Sequence, residues 1–411
     1  MAHSDPSEAV ITRPQHIKMT TAPDADRHLS WSDRWFSLRN RLLASALFQR
    51  RAASFFLTRP VARRRARSLF DLVAGFVYSQ VLLACVRLRL FEILSAGPQS
   101  VQAIALQTGL PEQGAQRLLA AASSLELAER RPDGRYGLGV LGAPMVGNDA
   151  LVAMVEHHTA LYADLADPVA LLRGEAATAH LAGYWPYAGA RSPHTLPSGQ
   201  VSDYSALMSA SQPLVAGEIL DAYPFARHRC LLDIGGGEGT FLMRAAQYAP
   251  QLKLMLFDLP AVADRARNRL AQAGLSGRSS AVGGDFLSDA LPAGADIATL
   301  IRVVHDHDDA RALAILKAAH RALAPGGTLL VAEPMAETAS APAMGDAYFG
   351  FYLLAMGRGS PRSRERLTTL LQEAGFANIR HLPTRMPLQT SILLARTSAS
   401  HFTDKTSVNI S

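Results

Sequence analysis

The chain has 411 residues, 48 % of them hydrophobic and only 18 % charged, with a formal net charge of +6. That length suggests two or three domains with ample apolar cores, and the low charge points to extensive apolar interfaces or an apolar substrate. Two cysteines, Cys85 and Cys230, far apart in apolar stretches, exclude a disulfide framework or a cysteine-based zinc site and fit a reducing, cytoplasmic setting. No uninterrupted apolar run approaches the roughly 20 residues that cross a bilayer, and the N-terminus lacks the order of a secretory signal, so the expectation is a soluble or membrane-associated protein.

Residues 1–30 are polar and aperiodic and are expected to be disordered, as is the tail 398–411. Residues 31–67 form a basic arm, with ten arginines and no acid between Arg34 and Arg67. Trp31, Trp35, Leu38 and Leu42 recur there at helical spacing, the pattern of a surface helix on anionic lipid. An arm packed on a partner subunit and a nucleic-acid patch are the other readings. Residues 68–150 begin with a long apolar helical pattern, Phe70 through Leu94. A short helix follows, capped by Ser100 and ended by Gly109, then a helix over Pro111–Leu127 and a charged hairpin turning at Asp133-Gly134. Helix, turn, helix, hairpin is a winged-helix pattern. As a DNA reader it is poorly equipped, because Arg117 stands alone among alanines and leucines; no nucleic acid is expected, and the apolar helix suits a second subunit. Residues 151–222 read as helical, with a break rich in Pro, Gly, Tyr and Trp at 183–199.

From Cys230 the pattern alternates between strands (Leu231–Ile234, Leu252–Phe257, Ser280–Val282, Ile297–Ile301, Thr328–Ala332) and helices, which predicts a parallel sheet covered on both faces. The late strands Asn378–Leu382 and Thr390–Ala395 are separated by a short loop and predict an antiparallel finish. The first strand, ending in Asp233, runs into Gly235, Gly236 and Gly237, with Gly239 before a helix. Backbone without Cβ atoms lets a nucleotide-like ligand approach closely, although the spacing is neither that of a dinucleotide fold nor that of a P-loop. The second strand ends about 20 residues later in Asp258, where a ribose diol would be gripped. After the third strand, Gly283-Gly284-Asp285-Phe286 offers an acid to an adenine amino group. D-x-G-x-G, the acid ending strand two and the acid after strand three together resemble the S-adenosylmethionine site of class I methyltransferases. His305 follows the fourth strand directly, on the rim beyond the carboxyl ends of the strands, where a general base would stand. The run His305-Asp306-His307-Asp308-Asp309 has no helical metal-ligand spacing, so no metal is expected, and Asp308 and Asp309 read as acids at a helix start. Glu333, at the tip of the fifth strand, is placed to orient His305 or to pair with Arg302.

These stretches, in this order and spacing, resemble the plant-type small-molecule O-methyltransferase family over roughly residues 70–396. Thr58–Arg67, Phe70–Gln80 and Asp346–Arg358 bring the chain nearest to members that act on hydroxycarotenoids. The resemblance implies a Rossmann-like class I methyltransferase domain at 223–397, a helical, winged-helix dimerisation domain at 68–150 and pocket helices within 151–222, in a homodimer. It implies S-adenosylmethionine as cofactor, held by Asp233, Gly235, Gly236, Gly237, Asp258, Leu259, Gly284, Asp285, Phe286 and Arg302. It makes His305 the base, assisted by Glu333 and Asp306, and lines an apolar acceptor pocket with Tyr204, Met208, Tyr348, Phe349, Tyr352 and Met356. Two positions depart from the family: Ile301 stands where plant members carry a lysine, and a second acid flanking the histidine aligns near Pro361. Other acceptors (a tetrapyrrole, quinone or polyketide) and a winged-helix regulator that senses S-adenosylmethionine are the alternatives. The implied location is the cytoplasm, with peripheral contact to a membrane through the arm.

Overall fold

The structure is a computed structural model that describes residues 30–175, 180–184, 212, 215–338, 343–385 and 390–398. It divides into two units, Met1–Val77 and Tyr78–Ser411.

The described part of the first unit is helical. Helix α1 (Trp31–Ala44) opens with a capping box, in which Ser30 Oγ accepts from Asp33 N and Asp33 accepts from Ser30 N. Helix α2 (Ala46–Ser54) is capped by Ser45, and helix α3 (Arg59–Arg87) begins after Thr58. No residue of α1 or α2 is buried. By length and composition α3 is apolar enough to cross a membrane, although the uninterrupted runs are short because Asp71, Ser79 and Gln80 punctuate it. Its last turns, at Leu83, Cys85 and Val86, are buried. The apolar pattern from Phe70 to Leu94 is therefore not one helix: Arg89, at φ +53°, breaks it, and a separate helix covers Leu90–Ser95.

The second unit starts with a small helical core built on Cys85, Leu90, Phe91, Ile104 and Leu119. Ser100 Oγ accepts from Ala103 N to start the helix Val101–Thr108, and Gly109, at φ +69°, ends it. The helix Glu112–Ser124 follows. Strands β1 (Ala128–Arg130) and β2 (Tyr136–Leu138) then pair antiparallel across the Asp133-Gly134 turn. Asn148 caps the helix Asp149–Asp164.

Beyond it lies a seven-stranded sheet of β3 (Cys230–Ile234), β4 (Lys253–Asp258), β5 (Ser279–Gly283), β6 (Ala295–Ile301), β7 (Leu323–Glu333), β8 (Ala377–Leu382) and β9 (Ser391–Arg396), in the order β5-β4-β3-β6-β7-β9-β8. The first five run parallel; β9 is antiparallel to both β7 and β8. The central strands carry almost unbroken apolar runs because helices cover both faces. Leu232, Ile234, Leu300 and Val331 face one core with the helix Asp309–Ala322. Leu231, Leu254, Ile297 and Leu330 face another with Phe241 and Leu242 of the helix Thr240–Tyr248. The strand order reverses between β3 and β6, and a doubly wound sheet opens its ligand crevice at such a switch point, beyond the carboxyl ends of the strands.

Candidate active site

The crevice is lined on one side by the β3 turn. Gly235, Gly237 and Gly239 all have positive φ, at 69°, 58° and 81°. A Cβ on Gly235 would lie 2.8 Å from Val303 Cγ2, and one on Gly236 would lie 2.6 Å from Asp233 Oδ2. Only glycine brings backbone this close to the loop after β6 and to the acid that ends β3. Asp233 is 1 % exposed. Its Oδ1 accepts from Thr299 Oγ1 at 2.6 Å, whereas Oδ2 is buried with no hydrogen-bond partner among the described residues. Burial pushes its carboxyl up to about 7, with Thr299 opposing and Asp258 adding to the rise. An unpaired buried oxygen is costly, and a cationic donor group of a ligand would relieve it. Asp258, at the tip of β4, accepts from Gly237 N at 2.8 Å and from Leu259 N at 2.7 Å. Each oxygen keeps a second acceptor site, so a diol can still bind. Desolvation raises this carboxyl to about 6 against those two N–H groups. Gly284 is packed so that a Cβ would lie 2.6 Å from Phe257 Cζ. Asp285 Oδ1 accepts from Leu287 N, and the Phe286 ring stands edge-on to His307. Arg302, at φ +56°, donates its backbone N–H to Ala332 O and its Nη2 to Gln212 Oε1. The residues that the sequence proposes for the cofactor thus converge on one rim. Their free acceptors and glycine-backed surface fit an adenosine sulfonium: Asp258 for the ribose, Asp233 and the glycines for the amino-acid end.

The second half of the site is the turn after β6. Glu333 is 1 % exposed at the tip of β7. Its Oε1 accepts from Val303 N at 3.0 Å and Val304 N at 2.7 Å, and its Oε2 bonds His305 Nδ1. The other ring nitrogen, Nε2, lies 3.1 Å from Asp306 Oδ1, a charge contact in which that oxygen makes no hydrogen bond. Nδ1 is therefore committed to Glu333, and the hydrogen-bonding direction of Nε2 is left to an acceptor. Burial alone would lower the imidazole. The Asp306 and Glu333 carboxylates, one beside each ring nitrogen, outweigh it and hold His305 above its ordinary value. Glu333 meets His305 and two backbone N–H groups, which makes it more than a surface partner for Arg302. Asp308 caps the following helix through Arg311 N, as its acidic start suggests.

A wall of aromatic side chains comes from a π-helical turn, Ala343–Phe349, and the helix Gly350–Ala355. Phe349 lies edge-on to His305 at 6.4 Å, and Tyr348 and Tyr352 stack beside it. Their hydroxyls are tied to a histidine pair that the sequence did not single out: Tyr348 to His158 at 2.7 Å and Tyr352 to His157 at 2.9 Å. Burial lowers both imidazoles, His157 to about 4, and raises Tyr348 to about 12. Met356 is 5 % exposed and packs with Leu161, Leu171 and Leu353, in a cluster against which Tyr348 and Tyr352 also lie. Tyr204 and Met208 lie outside the described residues.

Sequence reasoning also missed Arg362. Its guanidinium is buried against the turn after β6, donating Nη1 to Val304 O at 2.8 Å, Nη2 to His307 O at 2.6 Å and Nε to Asp309 Oδ1 at 2.6 Å. Next to it Ser360 N donates to His305 O, and a Cβ on Gly359 would fall 2.1 Å from that same oxygen. The segment where the family's second acid aligns, at Pro361, therefore holds the His305 turn through its backbone. An arginine among Ser-Pro-Arg-Ser-Arg-Glu-Arg carries no signal that would distinguish it in the sequence.

The O-methyltransferase domain family matches residues 162–377, and the O-methyltransferase dimerisation domain matches residues 70–146. The chain is 43 % identical over 359 residues to demethylspheroidene O-methyltransferase of Cereibacter sphaeroides, covering 86 % of this chain and 93 % of that protein. It is 40 % identical to the Rhodobacter capsulatus protein of the same name, over 82 % of this chain and 83 % of that one. Among solved structures, the S-adenosylmethionine-dependent methyltransferase SibL superposes with a TM-score of 0.68 at 25 % identity, covering 80 % of this chain and 99 % of that chain. A crevice built this way, on this sheet, defines a class I methyltransferase that uses S-adenosylmethionine. The chain belongs to the O-methyltransferase family and carries both its catalytic and its dimerisation domains.

Two outcomes follow from this geometry. Asp258→Ala should weaken S-adenosylmethionine binding by about 10- to 100-fold, the worth of one hydrogen bond to a charged acceptor, in isothermal titration calorimetry; unchanged affinity removes Asp258 from the cofactor site. Arg362→Met should lower turnover at least about tenfold while the cofactor dissociation constant stays within about twofold, because the turn carrying His305 loses three tethers but the glycine rim does not. Arg362→Lys, which keeps the charge and one donor direction, should recover part of the rate.

Proposed function

We propose that this chain methylates a hydroxyl of a hydroxycarotenoid, as a homodimer in the cytoplasm, with His305 as the general base. The observation that carries the acceptor is the 43 % and 40 % identity to two demethylspheroidene O-methyltransferases over most of the chain. The neutral aromatic wall of Tyr348, Phe349 and Tyr352 beside His305 supports it, since a long polyene needs an uncharged, apolar path to the rim. The dimerisation domain at residues 70–146 supports the homodimer.

S-adenosylmethionine supplies a methyl group already activated as a sulfonium. The work left to the protein is alignment and removal of one proton. An alcohol is far less acidic than a phenol and does not ionise beforehand, so the proton must leave as the carbon–oxygen bond forms. In this reading the acceptor hydroxyl donates to His305 Nε2, His305 Nδ1 keeps its proton and donates it in a hydrogen bond to Glu333, whose carboxylate stabilises the imidazolium that forms, and Asp306 adds a second negative charge beside it. The arrangement has the logic of a histidine base oriented by a buried carboxylate.

The test of the acceptor is incubation with labelled S-adenosylmethionine and separated hydroxycarotenoids, quinones and tetrapyrroles. Label in the carotenoid methoxy product is expected, and label confined to another lipid overturns the acceptor. The base is tested by a pH–rate profile. His305 works only when neutral, and its carboxylate neighbours keep it protonated to higher pH. The rate should therefore rise with pH through a midpoint above 6.5, the ordinary imidazole value. Asp306→Asn removes a neighbouring negative charge and should move that midpoint down. His305→Ala should cost about 10²-fold or more in turnover with cofactor affinity nearly intact, and Glu333→Gln should cost less; near-normal turnover of His305→Ala would leave alignment as the whole of catalysis.

A further inference from the structure

The arm ahead of the dimerisation domain is absorbed neither by the fold nor by the reaction. Its apolar side chains are left in the open: Trp31 is 89 % exposed, Trp35 62 % and Leu47 68 %, and Phe55, Phe56 and Leu57 are exposed after them. At 3.6 residues per turn, Trp31, Trp35, Leu38 and Leu42 form one stripe along α1. Arg34 and Arg41 border that stripe on one side and Arg39 on the other, while Asp33, Ser37 and Asn40 occupy the far face. The Arg39 guanidinium sits 4.8 Å from the centroid of the Phe36 ring, cation over aromatic. Seven more arginines, from Arg50 to Arg67, continue the charge, with no acid before Asp71.

We infer that residues 31–67 are an interfacial anchor for an anionic lipid bilayer. Lying in the membrane plane, α1 would sink its stripe below the headgroups. The bordering arginines would then sit at phosphate depth, and the two indoles at the boundary where tryptophan is favoured. Charge complementarity selects this occupant over a second copy of the chain. An arm-to-arm contact across a two-fold axis would set this acid-free arginine cluster against its own image. The dimerisation-domain match also begins at residue 70, after the arm. A nucleic acid would satisfy the arginines but would leave Leu38, Leu42, Leu47 and Leu57 in water. The inference does not rest on the identity of the acceptor, because the arm and the site are separate parts of the chain and are read by separate measurements.

The experiment is co-sedimentation of the full-length protein with vesicles of phosphatidylglycerol and phosphatidylcholine, and with vesicles of phosphatidylcholine alone. Binding to the anionic vesicles, weakened steeply by salt as screening shortens to about 8 Å at physiological ionic strength, is expected; the neutral vesicles should bind at least about tenfold less. Joint Arg34→Gln, Arg39→Gln and Arg41→Gln substitution should weaken anionic binding by about 100-fold, from roughly fivefold per arginine at such a surface. Joint Trp31→Ser and Trp35→Ser substitution should weaken binding while the protein keeps its mass in light scattering and its methyl transfer to a detergent-dissolved acceptor. Equal binding to both vesicle types, or none to either, overturns the inference. So does a Trp31/Trp35 variant that falls to half its mass, which would make the arm a subunit contact. Tight binding of a single-stranded oligonucleotide that depends on the arginines but ignores the tryptophans would reassign the arm to nucleic acid.

Discussion

A single buried carboxylate holds the reactive half of this protein together. Glu333 is shut away from water at the end of β7, and a charge in that position survives only if donors surround it. Three do: the backbone N–H groups of Val303 and Val304, and the Nδ1 of His305. The same oxygens therefore fix where the chain turns after β6 and which tautomer and orientation the imidazole takes. Arg362 grips the opposite side of that turn through the carbonyls of Val304 and His307. The geometry of this turn is a property of strand ends and of a loop clamped from both sides.

The electrostatics divide the crevice in two. Along the strand tips stand Asp233, Asp258, Asp306 and Glu333, a concentration of acceptors suited to a cationic methyl donor. Across from them the wall is neutral: burial lowers the His157 and His158 imidazoles and raises the Tyr348 phenol, and the histidines hydrogen-bond the Tyr352 and Tyr348 hydroxyls. Polar side chains that satisfy one another present only their ring faces to whatever lies beside them, and such a surface treats a hydrocarbon as the protein core would.

Much of this was legible in the sequence because it is written in local patterns. The strands, the glycine turn, the acid at the tip of β4 and the histidine after β6 follow from periodicity and from the rule that ligands gather beyond the carboxyl ends of parallel strands. The same alternation placed Glu333 within reach of His305, although it could not choose between His305 and Arg302 as its partner. What escaped depends on contacts distant in sequence. His157 and His158 meet tyrosines nearly two hundred residues away, and Arg362 reaches backbone carbonyls that no pattern of side chains announces. Arg89 broke a helix that hydrophobicity would have carried through, since a left-handed residue without glycine leaves no trace in composition.

The placement of β9 bears on how the molecule is made. This strand lies between β7 and β8, so one long edge of β7, including Glu333 opposite Ser391, has no partner until residues 391–396 arrive. During synthesis, the five parallel strands can assemble while that apolar edge stays open, and an open edge of this kind is a template for pairing with the wrong chain. The last of the described strands to emerge is thus the one that covers the β7 edge beside Glu333. The same six residues pair the β7 edge and complete the strand beside Glu333.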